Sequence, residues 1–228
     1  MLQTVLLDLD DTLLDFTKAE RVALSKTLLQ LGLEPTDAIL SRYHAINRSQ
    51  WELLERGELT REQVLYRRFE LLFDEHGIYC AAQDAKTLYE HFLGEGHYFI
   101  PHAPETLQLL SERYHLYLMT NGTASIQRRR LQSAGIIPYF DGIFISQEVG
   151  FNKPDTRYFE YCFAAIPHFE KEKAVMIGDS LSSDILGGNR AGIRTCWFNS
   201  THAAPTALAT PDFEVDSLTA LPALLETL

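Results

Sequence analysis

The chain has 228 residues, enough for one domain carrying a large insertion or for two compact ones, and its 46% hydrophobic and 22% charged content is ordinary for a globular protein. Thirty-one acidic against 20 basic residues leave a net charge of -11, which disfavours nonspecific binding to nucleic acid or to an anionic membrane surface. No apolar stretch is long enough to cross a bilayer, and the N-terminus enters a strand without a basic, then apolar, leader, so a cytoplasmic location is the default expectation.

The run Val5-Leu6-Leu7-Asp8-Leu9-Asp10-Asp11-Thr12-Leu13 reads as a buried strand that delivers carboxylates to a sheet edge. Strand alternation points Asp8 and Asp10 to one side and Leu9 to the other. Two acids converging on a small volume repel unless a cation, a lysine or a shared proton compensates them, so the stretch predicts a metal or acid/base chemistry.

Four helices follow without an intervening strand. A capping box at Thr17-Lys18-Ala19-Glu20 opens the first, whose apolar positions Val22, Leu24, Leu28 and Leu31 leave one sticky face and whose end is marked by Gly32. The second runs from about Thr36 to Gly57, a Thr60-to-Gln63 capping box opens a third that closes near Gly77, and a fourth spans about Ala82 to Glu95. Their sequences are dissimilar and their glycines unevenly spaced, so there is no internal repeat; short connections predict an antiparallel helical bundle.

After Gly96 the pattern changes to strands alternating with helices. His115–Thr120, Gly142–Ile145, Ala174–Ile177 and Arg194–Phe198 read as strands, with Phe213-Glu214-Val215 as a last edge strand and Ser200 to Pro211 as a surface loop. This predicts an α/β fold: a Rossmann-like, doubly wound parallel sheet with an inserted helical-bundle cap. Cys80, Cys162 and Cys196 lack paired metal-site or redox spacing and read as buried thiols.

In such sheets ligands gather at the carboxyl ends of the strands. Asp8 and Asp10 end the first, Thr120-Asn121-Gly122 the second, Lys153-Pro154 follows the third, and Gly178-Asp179-Ser180 ends the fourth. Singly, each has a bland reading: Thr120 or Asp179 as a helix cap, Lys153 as a solvated loop residue. Jointly, a hydroxyl, an ammonium and carboxylates at successive strand ends predict one site.

The motifs Asp8-Leu9-Asp10-Asp11-Thr12, Thr120-Asn121, Lys153-Pro154 and Gly178-Asp179-Ser180 with Asp184 occur in the order that marks the phosphatase branch of the haloacid dehalogenase (HAD) superfamily, which the chain strongly resembles. The resemblance implies a catalytic core of residues 1–14 and 97–228, with residues 15–96 as the helical cap of subfamily I. Asn47, Trp51, Arg68-Phe69, Gln147-Glu148-Val149-Gly150 and Ser183–Gly188 look like those of the bacterial pyrimidine 5′-nucleotidases. The resemblance implies Asp8 as nucleophile forming an aspartyl-phosphate, Asp10 as acid/base, and Thr120, Asn121 and Lys153 as phosphate-holding residues. It implies Mg²⁺ held by the Asp8 side chain, the Asp10 backbone carbonyl and Asp179, with Thr12 and Asp184 supporting from behind.

A small-molecule phosphomonoester, a nucleoside monophosphate first, is the substrate this reading expects, with no nucleic-acid or membrane partner. The runner-up is a sugar-phosphate or other small-metabolite phosphatase, or a phosphomutase. A dehalogenase of this family lacks the second aspartate, and a non-catalytic binding module has no need of a repulsive acidic cluster. Specificity falls to the cap, where Trp51, Phe69 and Tyr66 are candidates to stack on a base and Arg42 or Arg68 to reach an anionic or carbonyl group. For each, the competing reading is bundle core or solvated arginine. Likewise His97 and His102 read as structural hinge residues, and Arg128-Arg129-Arg130 as the solvent face of a helix.

Overall fold

Val5, Leu6 and Leu7 are apolar on both sides of the chain, and the strand they form, β1 (Thr4–Leu7), is buried on both faces. In the computed structural model, which describes residues 1–228, the other strands are β2 (His115–Thr120), β3 (Gly142–Ile145), β4 (Ala174–Gly178), β5 (Arg194–Phe198) and β6 (Phe213–Val215). All pair in parallel, in the order β3-β2-β1-β4-β5-β6, so β1 lies inside the sheet and Phe213–Val215 is the expected edge. Leu7 aligns with Leu118 on one side and with Ile177 on the other. That register brings Asp8 level with the ends of β2 and β4.

Ten α-helices accompany the sheet: α1 (Phe16–Gln30), α2 (Asp37–Glu55), α3 (Arg61–His76), α4 (Ala82–Leu93), α5 (Ala103–Ser111), α6 (Ala124–Ala134), α7 (Ser146–Val149), α8 (Thr156–Ala165), α9 (Leu186–Ala191) and α10 (Leu221–Leu225). Strand alternation divides the core between two faces. Val5, Leu7, Leu116 and Leu118 pack with Leu107 and Leu110 of α5 and Leu221 and Leu225 of α10. Leu6, Met119 and Met176 face Tyr158, Phe159 and Cys162 of α8. Each fully buried Leu or Phe contributes about 1.5–3 kcal/mol of transfer free energy against the entropy of ordering the chain.

Helices α1 to α4 bury their apolar faces mainly against one another, around Leu24, Leu28, Tyr43, Phe69, Leu72, Phe73 and Tyr89. None of the helices is long and apolar enough to cross a membrane. Thr36 caps α2 and the Thr60–Gln63 box is present in both halves at α3, which Gly77 closes at φ +62°. The box expected at Thr17–Glu20 is absent. Asp15 caps α1 instead, accepting from the Lys18 amide at 2.7 Å, while Asp11 accepts from the Phe16 and Thr17 amides at 2.8 and 3.0 Å. Glu20 is buried one turn inside the helix, its carboxylate taken by His44 and Asn47. Cys162 and Cys196 are buried, and burial pushes both thiols up to about 12; Cys80 is only partly buried.

Candidate active site

The strand alternation expected to align Asp8 with Asp10 stops before either residue, because β1 ends at Leu7. The Asp8 amide still donates to the Ile177 carbonyl at 2.9 Å, but the chain then tightens. The amides of Leu13 and Leu14 both close on the Leu9 carbonyl at 2.9 Å, and Asp11 takes φ +56°. A turn anchored by the buried Leu9, and not a longer strand, therefore carries Asp10, whose charge is felt at Asp8.

Lys153 is the centre of the cluster. It is 1% exposed, and its ammonium donates to Asp8 Oδ1 at 2.6 Å, Asp184 Oδ1 at 2.7 Å and the Met119 carbonyl at 2.6 Å. All three ammonium protons are thereby placed. Its backbone is fixed by Asn121, whose amide accepts from Lys153 N at 2.8 Å and donates to Lys153 O at 2.9 Å. The Asn121 side chain therefore serves the lysine backbone and not the rim. The other Asp184 oxygen accepts from the Ser180 amide at 3.1 Å. Gly178 makes room for that carboxylate, since a Cβ there would stand 2.2 Å from Asp184 Oδ2. Thr12 ties two segments together, receiving the Asp179 amide at 3.1 Å and reaching Asp8 Oδ2 at 3.4 Å.

Three carboxylates, Asp8, Asp179 and Asp184, bring oxygens within 4.8 Å of one another, with one ammonium among them. Burial, above all, pushes the Asp8 carboxyl up to about 7, with Lys153 opposing and Asp184 and Asp10 reinforcing. Burial also drives Asp179 well above the usual carboxylate range, followed by repulsion from Asp8 and Asp184. For Lys153 burial favours the neutral amine, but the two neighbouring carboxylates outweigh it and raise its pKa. Asp179 has no ion-pair partner. An all-oxygen donor set with uncompensated negative charge fits a hard divalent cation such as Mg²⁺.

Two cap side chains cross to this rim. Arg61, the first residue of α3, donates to the Asn121 and Gly122 carbonyls, both at 2.9 Å, and to Ser146 Oγ and Asn152 Oδ1, both at 2.6 Å. Every acceptor is neutral, and burial lowers its pKa to about 10. Glu55, at the end of α2, accepts from Ser182 Oγ at 2.8 Å and is pushed up to about 7, chiefly by burial. Beside Arg61 lies a cavity of about 650 Å³, lined from the helices by Leu54, Leu65, Tyr66 and Lys86 and from the sheet side by Ser146 and Asn152.

Of the expected specificity residues, Trp51 is half-buried near the crossing, its indole N–H donating to Asn47 and the Arg61 guanidinium 5.5 Å from its ring. Phe69 and Arg68 are placed inside the bundle: Phe69 packs against Tyr43 and Tyr89, and Arg68 bonds to Asn47 and the Leu65 carbonyl. Tyr66 lines the cavity, while Arg42 is spent on Glu75. His97 meets Ser133, and His102 precedes α5 at φ +67°; neither is bonded to the carboxylates. The solvent-face reading of Arg128–Arg130 holds for Arg128, paired with Glu148, and fails for Arg130, which is wholly buried against Asp10.

A parallel sheet with a carboxylate–lysine cluster at its carboxyl-end rim defines an α/β enzyme site suited to an anionic substrate. Residues 2–192 match the haloacid dehalogenase-like hydrolase family. The pyrimidine 5′-nucleotidase PynA of Streptococcus pneumoniae is 39% identical over 93% of this chain and 90% of its own. The pyrimidine 5′-nucleotidase YjjG of Escherichia coli is 30% identical over 97% and 96%. YfnB of Bacillus subtilis, assigned to the HAD hydrolases, is 38% identical over 95% of this chain and 92% of its own; its magnesium-bound crystal structure superposes with a TM-score of 0.94, covering 98% of both chains at 37% identity. The chain belongs to the haloacid dehalogenase-like hydrolases, and within them to the phosphomonoesterases.

Proposed function

We propose that this enzyme is a Mg²⁺-dependent 5′-nucleotidase that removes phosphate from pyrimidine nucleoside monophosphates through an aspartyl-phosphate on Asp8. The observation that carries the reading is the buried cluster itself: Lys153 holds one Asp8 oxygen, the other has one long contact, and Asp179 has no ion-pair partner. The near full-length similarity to two pyrimidine 5′-nucleotidases supports the leaving group. Asp8, Asp179 and the Asp10 backbone carbonyl would hold Mg²⁺, with Thr12 and Asp184 orienting them. When bound, the ion neutralises charge as a carboxylate approaches a phosphate.

The remaining roles belong to the chain. Asp8 attacks phosphorus and the bond to the leaving oxygen breaks; Asp10 gives that oxygen its proton, then takes one from the water that releases phosphate from Asp8. Thr120 Oγ and the Asn121 main-chain N–H would hold the transferring group, with Lys153 neutralising it. The cavity beside Arg61 is large enough for a nucleoside, and Leu54, Leu65 and Tyr66 give it apolar walls. Trp51 stands behind Arg61, whereas Phe69 and Arg68 act by shaping the bundle.

Phosphate release from nucleoside monophosphates, sugar phosphates and p-nitrophenyl phosphate, with Mg²⁺ or with EDTA, tests the reading. UMP, dUMP or dTMP should be cleaved selectively and EDTA should abolish the reaction. Preference for a sugar phosphate would transfer the assignment to that leaving group, and no metal-dependent release from any ester would sink the proposal. Arg61 adds a second test. Its charge has only neutral partners, so an anionic substrate supplies the missing compensation as the cap seats. Arg61→Ala is expected to raise KM by about 10-fold or more with a smaller fall in kcat; an unchanged KM in steady-state kinetics would refute the role.

A further inference from the structure

Helix α6 buries Ile126, Gln127, Arg130 and Leu131, so two strongly polar side chains lie on its apolar stripe. Such residues are costly to bury unless their groups are engaged. Arg130 donates through Nη1 to Asp10 Oδ1 and, at 2.9 Å, to Gln127 Oε1. Gln127 donates through Nε2 to Asp10 Oδ2 at 2.7 Å and to Thr120 Oγ1 at 2.8 Å. Both oxygens of the Asp10 carboxylate are therefore gripped, one by each residue, and the grip extends to the threonine at the end of β2.

Arg130 also touches both chain segments from which the four helices hang. Its Nε donates to the Gly96 carbonyl at 3.2 Å, just beyond α4, and its guanidinium lies 5.7 Å from the ring of Phe16, the first residue of α1. Nη2 is buried without a partner, so Asp10, Gln127 and Gly96 account for the whole of its hydrogen bonding.

We propose that Arg130 and Gln127 are positioning residues that aim the Asp10 carboxylate, and that Arg130 couples that aim to the two hinge segments of the cap. A shift of the helices moves Gly96 and Phe16, hence the seat of Arg130, hence Asp10. An acid/base group a fraction of an ångström out of place loses its contribution while substrate still binds. The inference rests on the aspartyl-phosphate reading, in which Asp10 acts twice: it protonates the leaving oxygen as the P–O bond breaks, then accepts a proton from water as the Asp8–phosphorus bond breaks.

The two esters used to test it differ in the first of those steps. A nucleoside leaving group needs a proton, whereas p-nitrophenolate departs without one. Arg130→Met and Gln127→Met should lower kcat on the preferred nucleotide by on the order of 10²-fold or more, with KM little changed. On p-nitrophenyl phosphate the first turnover should fall less than about 10-fold. It should appear as a burst of p-nitrophenolate equal to the enzyme, because the phosphoenzyme waits for a misaimed base. Phe16→Ala, which leaves Asp10, Gln127 and Arg130 intact, should show the same signature more weakly, and Arg130→Lys should restore part of the loss. Should Arg130→Met fail to fold, the Gln127 and Phe16 variants decide. Equal losses on both esters without a burst, in variants whose folding is intact, would overturn the positioning role alone. A wild-type protein inert toward both esters with Mg²⁺ would overturn the phosphatase reading and this inference with it.

Discussion

Asp8→Asn is expected to lower turnover by at least about 10⁴-fold, the scale on which removal of a nucleophile registers. Folding should survive, because Lys153 keeps Asp184 and the Met119 carbonyl and the new amide occupies the old volume. The substitution should also change how stability depends on pH in metal-free protein. Burial raises the Asp8 carboxyl from an ordinary 3.8 to about 7. Between those values the folded chain keeps a proton that the unfolded chain releases, so the wild-type protein loses stability as pH rises through that window. Asp8→Asn has no such proton to lose. Its thermal midpoint should therefore decline less from about pH 4 to 7, with the residual slope carried by Asp179, Glu55 and Asp11, which are displaced in the same direction. Full activity in the variant would sink the nucleophile; an identical pH profile of melting would sink the electrostatic account.

Lys153→Met should act on stability as well as on catalysis. The side chain is 1% exposed and compensates two carboxylates that are themselves buried. Removing one partner of a buried charged network costs about 3–5 kcal/mol, because the other charges stay behind without compensation. Methionine keeps the volume and removes the charge, so the loss measures electrostatics more than packing. Denaturant melts should show it directly, and Mg²⁺ should restore more stability to the variant than to the wild-type protein, since the cation would answer charges that the lysine no longer does. Equal stabilisation of both proteins by Mg²⁺ would show that metal and lysine do not share the same carboxylates.

The parallel sheet was legible because its strands are nearly continuous apolar runs: His115–Thr120, Gly142–Ile145 and Arg194–Phe198 have in the structure the bounds read from the sequence. Thr36, Thr60 with Gln63, and Gly77 announced their helix ends because capping is a local transaction between residues three or four apart. Thr17 with Glu20 matched the same local pattern and was overruled. Asp11, bent back by its left-handed φ, and Asp15 satisfy those amides first, and the Glu20 carboxylate is drawn to His44 and Asn47 across the bundle.

The same division runs through the site. Residue type and strand-end position selected Asp8, Asp10, Thr120, Asn121, Lys153 and Asp179, because a charge placed at the end of a buried strand has few places to go; Asp184 came from the family resemblance. What they do to one another is tertiary. That Asn121 spends its side chain on the Lys153 backbone, that Arg61 crosses from the cap to the carbonyls of Asn121 and Gly122, and that Phe69 and Arg68 turn inward depend on contacts between residues far apart in the chain. Arg130 shows the limit most plainly. Within a run of three arginines its charge points to solvent; only the α6 stripe it shares with Ile126, Gln127 and Leu131 hinted otherwise. By itself, then, the sequence determined the sheet, the bundle and the list of reactive groups, since these follow from periodicity and local backbone chemistry. The fold alone decided which of those groups are paired, which carry uncompensated charge and which of them the cap can reach, since burial and electrostatic interaction depend on distance in space and not along the chain.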